Sequence, residues 1–366
     1  MKRILCLTFA LCCLTACSTK NTDCRWSVEK ANAWYAGQDW PVGCDYVPAY
    51  AGNQLQMWQS ETWDAQAIDR ELGWAEALGL NSVRIFLHHK VWEAEPEAYF
   101  RHLEEFLSIA EKHGISVLMT LFTNGGSEAR CVGEKITPVP GIHNSIWAQT
   151  PGISLVNDSS RWNEIETYEK AVLEHFKDDR RILAWCLYNE PENVPECHTL
   201  PLLREVFRWA REVNPSQPLT ATLITNPFHC NPKHYVRFPM INFIAENSDI
   251  ISFHCYDSAN VMQDFIRLAK TYGRPVFCTE YLGRPRGSTF EDILPLLKEN
   301  RIAAYHFGLV HGATQCQYEW NEVVDGKKIP FSEEPEIWFH DVLNPDGTPW
   351  KESECTFIRK ITGKEN

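Results

Sequence analysis

A chain of 366 residues is too long for one small module and fits one large barrel or two ordinary domains. Its 44% hydrophobic and 23% charged residues are those of a chain with a real core, which excludes disordered, collagen-like and coiled-coil readings. With 35 basic against 48 acidic residues the net charge is -13, so nucleic acid and anionic lipid are repelled and are not expected partners.

Lys2 and Arg3 open the chain, and Ile4 to Leu14 follow as an apolar stretch too short to span a bilayer. The stretch ends in Leu14-Thr15-Ala16-Cys17, which resembles the lipobox of bacterial lipoproteins, where cleavage precedes the cysteine and the thiol receives a lipid. Residues 1–16 then form a lipoprotein signal peptide, Cys17 is the lipidation site, and 17–36 hold a tether and a leading helix. An ordinary secretory leader is the alternative. No other stretch approaches the roughly 18 apolar residues of a membrane helix, so membrane contact is expected only through the lipid, after export to a bacterial, outer-membrane-type surface. Of the 14 cysteines none forms a C-x-x-C pair, which gives no support to zinc ribbons or thioredoxin-like sites. Cys24 with Cys44, or Cys131 with Cys197, are open as disulfides, whereas Cys186, Cys255 and Cys278 sit in apolar runs and read as buried thiols.

The body of the chain repeats one theme, a short apolar run followed by an amphipathic helix. Strands are expected at Val42–Val47, Ser82–Leu87, Ser116–Phe122, Ile182–Tyr188, Leu219–Leu223, Ile250–His254, Pro275–Thr279 and Ala303–Leu309. These runs are nearly continuous in apolar residues, as parallel strands buried on both faces must be. Ile68, Leu72, Ala75 and Leu78 share one helical face, as do Ile165, Tyr168, Val172 and Phe176, and Leu203, Phe207 and Ala210. Ser288 to Glu291 reads as a capping box. The pattern predicts an α/β fold, a (β/α)8 TIM barrel in which 37–366 form a single catalytic domain. A doubly wound open sheet competes, but no Gly-rich phosphate loop follows the first strand. The segment from Asn124 to about Asp158 is long for a connector and is expected over the barrel mouth.

Two glutamates stand at strand ends. The fourth run leads into Asn189-Glu190-Pro191, and the seventh into Thr279-Glu280-Tyr281. A carboxylate there is awkward as structure and natural as chemistry, because retaining glycosidic cleavage needs a proton donor and a nucleophile roughly 5 Å apart. The chain resembles the clan A glycoside hydrolases, which include the family 5 cellulases and mannanases. That resemblance spans about Val42 to Trp350 and implies Glu190 as acid/base and Glu280 as nucleophile. It also implies substrate-binding roles for Asn189, for Arg84 on strand two, for His254 and Tyr256 after strand six, and for Trp320 as an aromatic platform. Trp320 lies further past strand eight than the family pattern has it.

The expected activity is hydrolysis of a β-linked poly- or oligosaccharide with retention, as an endo-β-glycanase or β-glycosidase of cellulase, mannanase or xylanase type, with no cofactor and no metal. The physical roles agree: Arg84 and Tyr256 suit an ionised Glu280, and the charge of Glu280 favours a protonated Glu190. His88, His89, His143, Asn144 and Trp147 are further candidate sugar contacts, while His229, His234, His306 and His311 are too scattered for a metal centre. The rivals are a metal-dependent barrel hydrolase and a glycan-binding lipoprotein without catalysis on the same barrel.

Overall fold

The computed structural model describes residues 25–128, 131–191, 193–194, 196–223 and 238–365. The leader, Cys17, Cys24, His229 and His234 lie outside them. All eight expected strands form: β1 (Val42–Asp45), β2 (Ser82–Phe86), β3 (Ser116–Thr123), β4 (Ile182–Asn189), β5 in two halves (Leu219–Thr220 and Thr222–Leu223), β6 (Ile251–His254), β7 (Val276–Tyr281) and β8 (Ala303–Phe307). Every pairing is parallel, and β8 returns to β1. The first half of β5 pairs with β4 and the second with β6, so the sheet closes around Ala221. Closure excludes the doubly wound alternative and defines a (β/α)8 barrel.

Two apolar layers explain why the strands do not alternate. On the outer face, Val83 and Ile85 belong to the same buried cluster as Ile68, Leu72 and Ala75 of the helix Ala65–Ala77. On the inner face, Leu118, Ala184, Cys186, Phe277, Ala303 and Tyr305 form a second cluster. Tyr35 of the leading helix, Val28–Ala36, joins that inner cluster, and its ring lies 5.6 Å from Phe277. Because these residues sit near the strand starts, the helix plugs the amino-terminal end of the barrel. Gly43 on β1 is required there: a Cβ would stand 1.8 Å from the Ser82 carbonyl oxygen.

The helices Trp162–Phe176 and Thr199–Val213 bury the faces that the sequence periodicity predicts. The capping box falls one residue later than expected. Thr289, not Ser288, accepts from the Asp292 amide and opens the helix Phe290–Glu299. Ser288 is buried and accepts from Leu282 N instead, which fixes the turn before the helix. Cys131 and Cys197 are both free, and so is Cys44. Among the described residues no helix is long and apolar enough to cross a membrane.

Candidate active site

The carboxyl ends of the strands converge on one buried guanidinium. Arg84, in the middle of β2, has no solvent exposure. Its register partner on β1 is Asp45, and Nη1 donates to Asp45 Oδ1 at 2.7 Å and to Glu280 Oε1 at 2.8 Å. Nη2 donates to Asn189 Oδ1 at 2.5 Å. A planar fork can serve three acceptors from fixed directions, which an ammonium cannot. Burial opposes the charge on Arg84, but Asp45 and Glu280 together hold its pKa above the ordinary value. Burial pushes the Asp45 carboxyl well up, against Arg84, and Glu280 adds to the rise. Asp45 was legible by the same sign as the two glutamates, an acid at the end of an apolar strand, yet the sequence reading passed over it.

Glu280 reaches the barrel interior through a break in its strand. Phe277 faces the inner cluster and Cys278 the outer one, so strict alternation would turn Glu280 outward. The pairing of β7 shifts register between Cys278 and Glu280, a bulge of the kind that re-aims a side chain beside an active site. Glu280 Oε2 then accepts from the Tyr256 hydroxyl at 2.5 Å. Burial, followed by the adjacent Glu280 charge, raises the Tyr256 pKa well above its ordinary value, so the phenol stays a donor.

Glu190 follows β4 in a left-handed conformation, φ +49°, which a side chain seldom adopts without support. Asn193 supplies part of it: its amide N bonds the Glu190 carbonyl at 2.9 Å, and its Nδ2 donates to Glu190 Oε2 at 2.9 Å. His254 Nδ1 lies 2.7 Å from Glu190 Oε1 and 3.3 Å from Glu280 Oε2. Burial pushes His254 down to about 3, so the ring is neutral and holds Glu190 by hydrogen bonding rather than by charge. Asn189 Nδ2 donates to Thr123 Oγ1 at 3.0 Å, which fixes the amide beside Glu190.

The ligating atoms of Glu190, His254 and Glu280 all lie within 4.8 Å of one another. This is also the one group among the described residues close enough to share a cation. Its donors fit one poorly, since Arg84 and Tyr256 occupy the two Glu280 oxygens and His254 is bonded to Glu190. As chemistry, the arrangement offers one carboxyl fixed by a cation and a phenol and a second held by a neutral imidazole and an amide.

A cavity of about 550 Å³ lies above these groups, with Asn189, Glu190, His254, Tyr256, Glu280 and Trp320 in its lining. Six of the seven barrel residues expected in the site therefore meet, and Arg84 lies directly beneath. Trp320 is 46% exposed, with its ring 5.3 Å from Tyr256 and 5.1 Å from Phe339, and the Arg286 guanidinium 5.1 Å from its face. His143, Asn144 and Trp147 also line the cavity. His88 and His89 do not. His88 caps the helix His89–Ala94 by accepting from Lys90 N, and His89 bonds Thr150 Oγ1 at 2.7 Å, so both are consumed by local structure. His306 is buried against Tyr281 and Phe290, and His311 stacks on Trp338.

No family model and no curated relative matches the sequence. Solved structures do match. The exo-β-1,4-mannosidase Op5Man5 of Opitutaceae bacterium strain TAV5 is 17% identical over 88% of this chain, with a TM-score of 0.57, and this chain covers 60% of its length. The GH5_18 protein of Streptomyces cattleya, solved with Manβ1-4GlcNAc, is 15% identical over 89% of this chain and 81% of its own, with a TM-score of 0.56. The endo-β-1,4-mannanase of Thermotoga petrophila is 16% identical over 90% of this chain and 77% of its own, with a TM-score of 0.57. The fold is thus the (β/α)8 barrel that these solved structures share.

Proposed function

We propose that this chain is a retaining glycoside hydrolase acting on β-linked, mannose-containing glycans, with Glu280 as nucleophile and Glu190 as acid/base. The observation that carries the reading is the convergence of the two carboxyls, with oxygens within 4.8 Å, at the mouth of a barrel of this type. That spacing suits direct attack and leaves little room for a water between carboxylate and sugar, as inversion would need. In the first step Glu280 bonds to the anomeric carbon as its bond to the leaving oxygen breaks, and Glu190 gives its proton to that oxygen. In the second, water attacks the same carbon, Glu190 takes its proton, and Glu280 is released. Asn189 is placed to bond the hydroxyl next to the reacting carbon, and Trp320 to meet the apolar face of a ring. The mannose preference is supported by what the structural neighbours are named for.

The test is a proton NMR time course on a panel of aryl β-glycosides and β-1,4-linked oligosaccharides. The β-anomer should appear first, with mannosides cleaved fastest. An α-anomer as first product, or no hydrolysis across the panel, defeats the proposal. The lipobox-like Leu14-Thr15-Ala16-Cys17 further supports anchoring through Cys17 in the full chain. Cys17→Ser should move the expressed protein from the membrane to the soluble fraction.

A further inference from the structure

We infer that the loop after β3 holds Trp320 in place through His143 and Asn321, so that these two are positioning residues for the sugar site. The inference rests on the platform role proposed above for Trp320. A ring contributes its full stacking energy only if it already stands where the sugar will meet it. Ordering an exposed side chain on a long loop at the moment of binding would otherwise cost entropy. Trp320 is exposed and lies on the long segment after β8, so core packing does not fix it.

The chain is gripped on both sides of Trp320. His143 Nδ1 donates to the Tyr318 carbonyl at 2.9 Å, and the His143 amide donates to Asn321 Oδ1 at 2.9 Å. Asn321 is itself fixed, because its Nδ2 donates to the Gly141 carbonyl at 2.8 Å and to the Ile329 carbonyl at 2.9 Å. The Asn144 amide adds a further tie between the two loops, on the Thr314 carbonyl at 2.9 Å. A ring contact completes the hold: His143 meets Phe339 edge-on at 6.1 Å, and Phe339 meets Trp320 edge-on at 5.1 Å. His143 and Asn321 are 5% and 9% exposed, so breaking either bond would strand a buried polar group. Burial lowers the His143 pKa to about 4, which makes the ring neutral. The Tyr318 carbonyl can only accept, so the ring proton sits on Nδ1 and Nε2 accepts from Asn144 Nδ2 at 3.3 Å. His143 lines the cavity, yet both of its ring nitrogens are engaged in holding the loops.

Double-mutant cycles on kcat/KM test this, with the β-glycoside that is cleaved fastest in the panel above and with the melting temperature followed in parallel. His143→Phe keeps a ring against Phe339 and removes the bond to Tyr318, while Asn321→Ala removes the other grip. Each should lower kcat/KM by a factor close to that of Trp320→Ala, and should lower it no further when combined with Trp320→Ala. His143→Asn, whose side-chain amide can place a donor where Nδ1 stands, should recover most of the loss. Losses that multiply with that of Trp320→Ala, or a lower melting temperature with kcat/KM unchanged, would mean a merely structural role and overturn the inference. If His143→Phe fails to fold, the Asn321→Ala cycle carries the test. If neither folds, both residues belong to the core and the inference falls. The platform reading fails separately, through a Trp320→Ala variant that keeps the parent kcat/KM, and it takes this inference with it.

Discussion

Arg84 shows how one side chain joins fold to chemistry, since it ties Asp45, which no substrate reaches, to Glu280 and to the amide next to Glu190. That shared scaffold makes the two glutamates equally well placed but not equivalent on mutation. Glu280→Ala removes the attacking group, so cleavage should nearly vanish, and added azide should restore it with an α-configured glycosyl azide as product. Glu190→Ala removes the proton donor, with a loss of roughly 10²–10⁴-fold on poor leaving groups. Aryl glycosides with acidic phenols should still complete the first step. Equal, mild losses in both variants would refute the assignment. Trp320 separates by a different readout. At 46% exposure it holds little of the core, so Trp320→Ala should leave the melting temperature within a few degrees of the parent. A stacking loss of about 0.5–1.5 kcal/mol should lower kcat/KM roughly two- to tenfold. Strong destabilisation with full specific activity would assign Trp320 to packing. The platform would then be sought at Trp147, since Tyr281 is fully buried.

At the scale of elements, the eight strands were legible because a strand buried on both faces leaves an uninterrupted apolar run, and the barrel has eight of them. Glu190 and Glu280 were legible because they end such runs. The bulge that turns Glu280 inward was not, since an alternating register cannot announce its own interruption. His88 and His89 were misplaced because a histidine that caps a helix looks the same in sequence as one that meets a sugar. The partners of the loop after β3 were invisible because Asn321 and Thr314 lie far away along the chain. One helix carries a cost that only the structure reveals. Glu169, within Trp162–Phe176, is fully buried, and neither carboxylate oxygen has a hydrogen-bond partner. Burial raises its pKa well above the ordinary value. Lys170 and Arg208 oppose that rise, and Glu166 and Glu212 add to it. A raised folded pKa means that the cost of ionisation appears above the unfolded value of about 4.3 and grows as pH rises. Glu169→Gln removes the titration. Its melting temperature relative to the parent should therefore rise by a few degrees between pH 5 and pH 8, whatever constant offset the amide brings. An offset that stays the same at both pH values would mean the carboxyl is ionised at little cost.

The whole molecule sums such groups, and their opposing signs locate its most stable pH. Six buried histidines resist protonation: burial lowers His89, His254 and His306 to about 3 and His143 to about 4, and it holds His88 and His340 well below the ordinary value. Their folded values lie below the unfolded one, so stability is lost as pH falls below about 6.5, where only the unfolded chain takes up these protons. Four buried acids act in the reverse sense. Burial raises Glu71 and Asp341 to about 7 and lifts Asp45 and Glu169 well up, so above about pH 4 the native state keeps protons that the unfolded chain has released. Between pH 4.5 and 6 the histidines outnumber the acids, and each proton of difference is worth about 1.4 kcal/mol per pH unit. Stability therefore climbs with pH through this window. Below about pH 4 the acids stop opposing, because their unfolded forms are protonated too, and the fall steepens. Above 6.5 the histidines are neutral in both states, so the protons still held by the buried acids lower stability unopposed, until Glu71 and Asp341 ionise in the fold near pH 7 and leave that loss to Asp45 and Glu169. The melting temperature should peak between pH 6 and 7 and drop on the order of 5–10 °C by pH 5, measured by scanning calorimetry in buffers of matched ionic strength. A midpoint that stays flat or rises on acidification to pH 5 would mean that these histidines take up protons inside the fold.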